Sequence, residues 1–435
     1  MPEEKQVPEH RLISLDVFRG MTIAGMVLVN NPGTWSAIYP PLQHAEWHGI
    51  TPTDYIFPFF LFIVGVAIPI ALGKRIEEGI TNKVYFKILS RAALIFFLGL
   101  FMAAFPLFDL SKPEIPLFAK LVTMFGLLTI LYLWLTGKTR EPLIGLALLA
   151  AFLAALYLAG YPLVFRNFQI FRIPGVLQRI AVCYLITSVI FLHVNWKQLA
   201  IIGIVLLLFY WLLMSIVPIP GCDFSTINDK ACNLAAFVDR AILGTNHIWQ
   251  SAKVYDPEGI LSTLPAIATT ISGVLTGLWL KSKRTELEKV AGMFFVGLIL
   301  IVLAWCWNPF FPFNKALWTS SYVLYTSGLA LCFLGFCYFL IDIKGYRAWT
   351  TPFVIFGVNA LALFVGSGLM ARMMSIVKVA GADGKEIGLQ TWIYQTIFAP
   401  LADARTSSLM YAVCFILFWL FLMWLLYRKR IYIKV

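Results

Sequence analysis

Apolar runs long enough to cross a bilayer recur along the whole chain and limit its fold more than any other feature. Of the 435 residues, 60% are hydrophobic and 13% are charged, whereas soluble domains carry roughly a quarter charged residues. The candidate spans lie at about 12–31, 52–73, 91–106, 118–136, 142–160, 175–193, 198–217, 261–280, 290–307, 320–341, 352–371 and 405–427. The sequence therefore predicts an all-α polytopic membrane protein, a helix bundle of about 12 transmembrane spans (10–12) forming one domain over 1–435.

The distribution of basic residues predicts how the bundle is oriented. The first run contains Asp16 and Arg19 and lacks a small-residue cleavage site, so we interpret it as an uncleaved span and not a signal peptide. Lys and Arg concentrate in 74–91, 281–289 and 427–435, as the positive-inside rule requires of cytoplasmic segments. We expect both termini in the cytoplasm and a multi-pass protein of the cell inner (plasma) membrane. The formal charge of +12 is explained in this way without a nucleic-acid partner.

One polar segment, 218–260, is expected on the opposite, extracytoplasmic side. It holds Cys222 and Cys232, whereas the other five cysteines lie in or beside apolar spans. A disulfide between these two residues suits an oxidising compartment. The alternative is a pair of free loop thiols.

Charged side chains inside the spans need a physical reason, because each costs about 2.5–3.5 kcal/mol on insertion scales. Asp16 and Arg19 are three residues apart on one helical face, which favours a local ion pair. The alternative is that Arg19 presents its fork of donors to a phosphate approaching from the cytoplasm.

Two acidic stretches, "TPTD" and "YDPEG", have the pattern of a helix start. In the first, Thr51 can cap and Asp54 falls three residues later, close to a capping box. Pro58 cannot donate to the Asp54 carbonyl and is expected to kink the span. In the second, Asp256 can cap a helix and Glu258 favours its positive end. A helix N-terminus also attracts anions, so capping and function are compatible.

His44 and His48 lie at a predicted membrane boundary, in a chain with only five histidines. Their spacing of four would place them on one helical face, but no third ligand has metal-binding spacing, so we expect no metal. An interfacial role beside Trp47 explains His48 adequately. His44 is less well explained by packing.

Seven motifs, in order from about Arg11 to Gly366, resemble the heparan-α-glucosaminide N-acetyltransferase family and its bacterial relatives. The motifs are "RLISLDVFRGMTIAGMVLVNN", "HAEWHGITPTDYIFPFFLFIVG", "RIPGVLQRIAVCYL", "FVDRAILGTNHIWQ", "YDPEGILSTLPAIATTISGVLTG", "FNKALWTSSYVLYT" and "PFVIFGVNALALFVG". The chain departs from that family in carrying an extra pair of spans near 118–160.

The resemblance implies transfer of acetyl from cytosolic acetyl-CoA, as co-substrate, to the amine of a glucosamine-type sugar or glycan across the membrane. The histidine of that family matches His44, the expected general base, and its asparagine matches Asn30, with Asn31 as the alternative. The matching motifs supply cofactor-binding candidates, namely Arg19, Gln178, Arg179 and Lys315. They also supply substrate-binding candidates, namely Asp54, Asp256, Glu258 and Asn314.

Two other functions remain open from the sequence. About twelve spans with intramembrane polar groups also suit an amino-sugar (N-acetylglucosamine) transporter. The same base chemistry on a hydroxyl would give an O-acetyltransferase of cell-envelope glycans. The sequence leaves open the oligomeric state, a homodimer included, and whether acetyl passes through a covalent histidine.

Overall fold

In the computed structural model, 12–222, 226–381 and 384–433 are described. The long helices are α1 (Ile13–Asn30), α2 (Ile56–Glu77), α3 (Asn82–Ala104), α4 (Leu117–Leu135), α5 (Arg140–Leu158), α6 (Val176–His193) and α7 (Trp196–Ile216). They continue, after a short α8 (Leu234–Leu243), with α9 (Thr263–Lys281), α10 (Glu286–Trp307), α11 (Ser320–Cys337), α12 (Thr351–Val358) and α13 (Ala360–Ile376). The chain ends with a hairpin of β1 (Lys378–Ala380) and β2 (Glu386–Gly388), then α14 (Leu389–Ile393) and α15 (Ala404–Arg428).

The prediction of an all-α polytopic membrane protein is confirmed. Within the described ranges, 11 helices are long and apolar enough to cross a membrane, or 12 if the bent pair α12 and α13 counts as one span. Each predicted span coincides with one of these helices or with the bent pair. Counted as 12 spans, the bundle has both ends on the same side, as the basic-residue bias predicts. Residues 1–11 and 434–435, which include both termini, lie outside the described residues.

The centre of the bundle is the contact between α2 and α9, which approach closely through glycines. A Cβ atom on Gly65 would lie 2.0 Å from the Thr270 carbonyl oxygen, and one on Gly273 would lie 2.1 Å from the Phe62 carbonyl oxygen. Small residues of this kind let membrane helices pack backbone to backbone. The contact fixes the start of α2, which follows Asp54, relative to the loop that precedes α9.

The predicted loop 74–91 is too long, because α2 continues to Glu77 and α3 begins at Asn82. Val84, Ile88 and Ala92 recur at helical spacing and are buried. The average hydropathy of this segment is low because polar residues alternate with these three, so the start of α3 was not predicted as part of the span.

The spans α4 and α5, which the sequence comparison predicts as an extra pair, form a peripheral hairpin. The two helices pack mainly against each other, and most of their side chains face outward. The pair therefore adds to the bundle without entering its centre.

The twelfth span is broken at Asn359, where α12 and α13 meet at 81°. The buried Asn359 side chain donates to the Ile431 carbonyl (3.1 Å) and accepts from the Ile433 amide (2.9 Å). The chain after α15 therefore returns to the break and satisfies this buried amide.

Candidate active site

Connecting segments of the bundle meet at one end, which we call the His44 end. The Gly49 amide donates to the Phe313 carbonyl (2.8 Å), and the Trp47 indole donates to the Ile227 carbonyl (2.8 Å). The Ile173 amide donates to the His247 carbonyl (2.9 Å). These contacts join the segments 43–55, 159–175, 217–262 and 308–319 around a cluster of charged side chains.

His44 and Asp54 form the central pair of this cluster. His44 Nδ1 lies 2.7 Å from Asp54 Oδ1, and the Asp54 side chain is 1% exposed while that of His44 is 48% exposed. A buried carboxylate beside one ring nitrogen favours the tautomer that carries its proton there. The other nitrogen, Nε2, is then an acceptor. This is the arrangement of an imidazole held as a general base.

The second oxygen of the Asp54 carboxylate has a structural role. Oδ2 accepts from the Thr51 amide (3.0 Å), the Thr51 hydroxyl (3.0 Å) and the Ala45 amide (3.2 Å). The predicted capping box is confirmed, at the start of a 3₁₀ turn, Pro52–Tyr55, that leads into α2. Asp54 therefore both shapes the helix start and holds His44.

Pro58 does not bend the interior of α2, because it falls in the first turn of that helix, after the 3₁₀ turn. A proline there costs little, since its amide would lack an intrahelical partner in any case. The Asp54 carbonyl, which Pro58 cannot serve, accepts instead from the Tyr322 hydroxyl (2.6 Å). The buried Tyr322 thereby fixes the Asp54 backbone to α11.

Lys315 completes the central cluster. Its Nζ lies 3.1 Å from both ring nitrogens of His44 and 3.9 Å from Asp54 Oδ1. Burial lowers the pKa of the Lys315 ammonium, and the nearby Asp54 and Glu258 carboxylates oppose that shift. The site thus combines a base, its carboxylate partner and a cation within hydrogen-bonding distance.

His48 lies outside this pair and has neutral partners. Its Nε2 is 2.9 Å from Asn228 Oδ1, and its Nδ1 is 3.3 Å from Nδ2 of the buried Asn314. Burial lowers the pKa of His48, although the Asn228 hydrogen bond acts in the opposite direction. Its contacts therefore connect three loops and give it a positional role.

Arg172 binds the two acids of the "YDPEG" stretch. Its guanidinium donates to both Asp256 oxygens, at 2.8 and 2.6 Å, and also to Glu258. Although burial alone would raise the pKa of Glu258, the charges of Arg172, Arg179 and Lys315 lower it overall. The acids form an ion-pair cluster beside Lys315.

The prediction that Asp256 caps a membrane helix is wrong. Ser262 occupies the position before α9, which begins at Thr263. Asp256 accepts a hydrogen bond from the Glu258 amide (2.9 Å) in a local turn, and its carboxylate also accepts from the Arg172 guanidinium. The acid-rich turn and the helix start are separate because residues 257–262 lie between Asp256 and α9.

The turn that contains Asp256 and Glu258 is hydrogen-bonded to α8 through Asp239. Asp239 Oδ1 accepts from the Ile260 amide (2.8 Å), and burial raises the pKa of Asp239 to about 6. Asn233 begins α8 as its N-cap, accepting from the Ala236 amide at 2.9 Å. Neither α8 nor the β1–β2 hairpin was anticipated from the sequence, since both lie between spans.

Arg179 and Gln178 lie at the His44 end of α6, and both are buried. Arg179 donates to the Gly259 carbonyl (3.0 Å) and to the Ser262 hydroxyl, and its guanidinium lies 5.1 Å from the Trp318 ring centroid. Both residues therefore lie on the same end of the bundle as His44, and Arg179 is held there by the loop that precedes α9.

The remaining candidates are separate from the central pair. Asn30 is the last residue of α1 and exposed, and no hydrogen bond joins it to His44 among the described residues. Asn31 is buried and donates to the Val27 carbonyl at 2.9 Å. Arg19, deeper in α1, forms the expected ion pair with Asp16 at 3.1 Å.

Sequence reasoning did not single out Arg172, Tyr322 or Asn228. Arg172 had a usable signal, because a basic residue on the predicted extracytoplasmic side departs from the positive-inside bias. Tyr322 had none, since a tyrosine in a span is ordinary.

The fold and the site define a polytopic membrane protein with a hydrogen-bonded histidine–aspartate pair at one end of its helix bundle. The family model described as "Domain of unknown function (DUF5009)" matches residues 11–238, more than half of the chain, and the chain belongs to this family. Heparan-alpha-glucosaminide N-acetyltransferase of Mus musculus is 25% identical over 488 aligned positions, which cover 100% of this chain and 62% of that protein. The Homo sapiens protein of the same name is 28% identical over 408 positions, covering 82% of this chain and 52% of that protein.

These relatives confirm the family-level resemblance expected from the seven motifs. The chain spans less than two thirds of the length of either relative, at 62% and 52%.

Proposed function

We propose that this protein is a transmembrane N-acetyltransferase that moves acetyl from acetyl-CoA to the amine of a glucosamine-type sugar. The observation that carries the proposal is the hydrogen-bonded pair of His44 and Asp54 at 2.7 Å. The names of the two relatives support the reaction class.

The pair suits this reaction because an amine must be neutral to attack a thioester. With Asp54 accepting from Nδ1, Nε2 of His44 takes the proton from the attacking nitrogen. The carbon–nitrogen bond forms, the carbon–sulfur bond breaks, and coenzyme A leaves as the thiol. Asn30, at the end of α1, is the proposed donor to the developing oxyanion.

The acceptor would bind among the polar groups around His44. Asp256, Glu258 and Asn314 belong to the same cluster, and an amino sugar offers both an amine and hydroxyls to such residues. We place this end of the bundle outside the cytoplasm and the protein in the plasma membrane, so that the pantetheine arm reaches His44 through the bundle. Arg19, far from the His44 end of α1, is the candidate for a phosphate of cytoplasmic acetyl-CoA.

The test uses purified protein with acetyl-CoA labelled with ¹³C in the acetyl group, and glucosamine as acceptor. We expect labelled N-acetylglucosamine by mass spectrometry, and only background product from His44→Ala. N-acetylglucosamine serves as a matched acceptor without a free amine. Label appearing equally on that acceptor would indicate O-acetylation instead. Uptake of N-acetylglucosamine into proteoliposomes without acetyl transfer would support the transporter and refute the enzyme.

A further inference from the structure

Lys315 is the cation in direct contact with the proposed base. Its Nζ is 3.1 Å from His44 Nε2, the nitrogen that would receive the proton of the acceptor amine. We propose that Lys315 is a second catalytic residue, which gives a proton to the sulfur of departing coenzyme A and recovers one from His44. This inference rests on the proposed function.

The backbone around Lys315 holds its side chain at this position. The Lys315 carbonyl accepts from the Trp318 amide (3.2 Å), and Oδ1 of the fully buried Asn314 accepts from the Leu317 amide (2.9 Å). The Lys315 side chain is 22% exposed. The buried turn therefore holds the Lys315 side chain against the His44 ring, which is not the arrangement of a freely solvated surface lysine.

The charges around Lys315 favour an ammonium that can release a proton during reaction. Asp54 lies 3.9 Å away and Glu258 also attracts the cation, while burial favours the neutral amine. A thiol has a pKa of about 8.5 in the case of cysteine, so a thiolate released near neutral pH takes up a proton. A nearby acid can therefore supply that proton as the carbon–sulfur bond breaks.

The proton balance closes within the site. The amine nitrogen bonds to the acetyl carbon as its proton moves to His44 Nε2. The carbon–sulfur bond breaks as an Nζ proton of Lys315 moves to sulfur, which leaves as the thiol. The His44 imidazolium then returns its Nε2 proton to neutral Lys315, after the lysine side chain swings from its position 3.1 Å from both ring nitrogens into line with Nε2, and both residues are restored. The products are the N-acetylated sugar and free coenzyme A.

The experiment compares Lys315→Met and Lys315→Arg with wild type, after thermal unfolding has shown that each variant is folded. Arginine keeps the charge but does not release a proton at working pH. We expect both variants to lose about 10²–10³-fold in kcat, the size of a typical acid–base contribution, with a smaller change in KM for acetyl-CoA. Lys253→Met, at an exposed position in the same set of loops, is the matched control and should react like wild type.

Chemical rescue separates proton transfer from structure. Trimethylamine can donate a proton but cannot form a stable amide, so it should restore part of the rate of Lys315→Met. It should not restore the rate of His44→Ala. Wild-type kcat in Lys315→Arg, or in Lys315→Met without added amine, would overturn the role of Lys315 as an acid.

Ligand binding supplies a readout that does not depend on turnover. Wild type should bind coenzyme A about tenfold more tightly than desulfo-coenzyme A, because the ammonium donates a charged hydrogen bond to sulfur. Lys315→Met should show no such preference, and an unchanged preference would overturn the contact with sulfur. Wild-type protein that transfers no acetyl to glucosamine would overturn the proposed function itself. Active wild type with an unimpaired Lys315→Met would overturn only the present inference.

Discussion

Asp54 directs one carboxylate oxygen to His44 and the other to the backbone at the start of its own 3₁₀ turn, which leads into α2. Oδ1 lies 2.7 Å from His44 Nδ1, whereas Oδ2 accepts three hydrogen bonds from Thr51 and Ala45. The capping contacts fix the carboxylate, so the imidazole is oriented by a group that cannot easily rotate. Substitutions that affect either Oδ1 or Oδ2 can therefore separate the role of Asp54 in orienting His44 from its role in capping the helix start.

Asp54→Asn should preserve the fold and lower acetyl transfer by about 10²–10⁴-fold. An asparagine can present its amide group to Nδ1, which favours the tautomer with the proton on Nε2 and removes the base. The measurement is kcat together with the melting temperature. Thr51→Ala is the matched control, because it removes the hydroxyl contacts to Asp54 Oδ2 and to the Gln43 carbonyl but leaves the contact of Oδ1 with His44. It should cost about 1 kcal/mol of stability. Equal losses of activity in both variants would show that Asp54 acts only as a cap.

His44→Ala should lose acetyl transfer by about 10²–10⁴-fold while the protein still folds and binds coenzyme A. His48→Ala should change the rate much less, because His48 contacts Asn228 and Asn314 and no carboxylate. The comparison uses steady-state rates at matched protein concentration and isothermal titration with coenzyme A. Should His48 prove essential and His44 dispensable, the base has been assigned to the wrong histidine.

Arg172→Met should destabilise the protein by about 3–5 kcal/mol, because it leaves the buried Asp256 and Glu258 carboxylates unpaired. The measurement is the free energy of unfolding in detergent at neutral pH. Arg166→Met is the matched control. Arg166 donates to the Ala103 and Phe105 carbonyls, which also accept from Arg372, so its loss should cost less.

The same variant should change how stability depends on pH. In wild type the folded-state pKa of Glu258 lies below its ordinary value of 4.5, so its pairing stabilises the fold above pH 4.5. That contribution is lost as the pH falls from 4.5 through the folded-state pKa. Arg172→Met should show a flatter decline over this range. An identical acid dependence in both proteins would mean that Arg172 does not set the ionisation of Glu258.

The spans could be predicted from sequence because each one must satisfy its own backbone and meet lipid along its own length. The disulfide between Cys222 and Cys232 was also within reach, since only these two cysteines share a polar segment, and the structure confirms it. The broken twelfth span was not predicted, because the partner of Asn359 is the distant chain end near Ile433.

The site could be predicted only in part, for a related reason. His44 and Asp54 were each singled out, but their contact depends on how the intervening loop folds back. The ion pair of Arg172 and Asp256 joins residues 84 positions apart, and Lys315 approaches His44 from a segment 271 positions away. Such pairings follow from the packing of the spans and leave no local pattern in the sequence.

Loss of the disulfide should weaken the fold without abolishing acetyl transfer. The bridge closes a loop that contains Ile227 and Asn228, the partners of Trp47 and His48. Cys222→Ser with Cys232→Ser should cost about 2–3 kcal/mol of stability, and added reductant should then have no further effect. Cys306→Ser, at an exposed free cysteine, is the control. A reductant-sensitive melting temperature in the double variant would assign the effect to another thiol.

The orientation of the bundle decides which side of the membrane supplies the acceptor. The basic-residue bias predicts that the exposed Glu46 faces away from the cytoplasm and that Lys283, beyond an odd number of further spans, faces it. Single cysteines at these positions should differ in labelling, in a background where Cys306 and Cys414 are serine. Glu46→Cys should react with an impermeant maleimide in intact cells, and Lys283→Cys only after lysis. The reverse pattern would place His44 in the cytoplasm, on the same side as acetyl-CoA, and transfer across the membrane would then be ruled out for this protein.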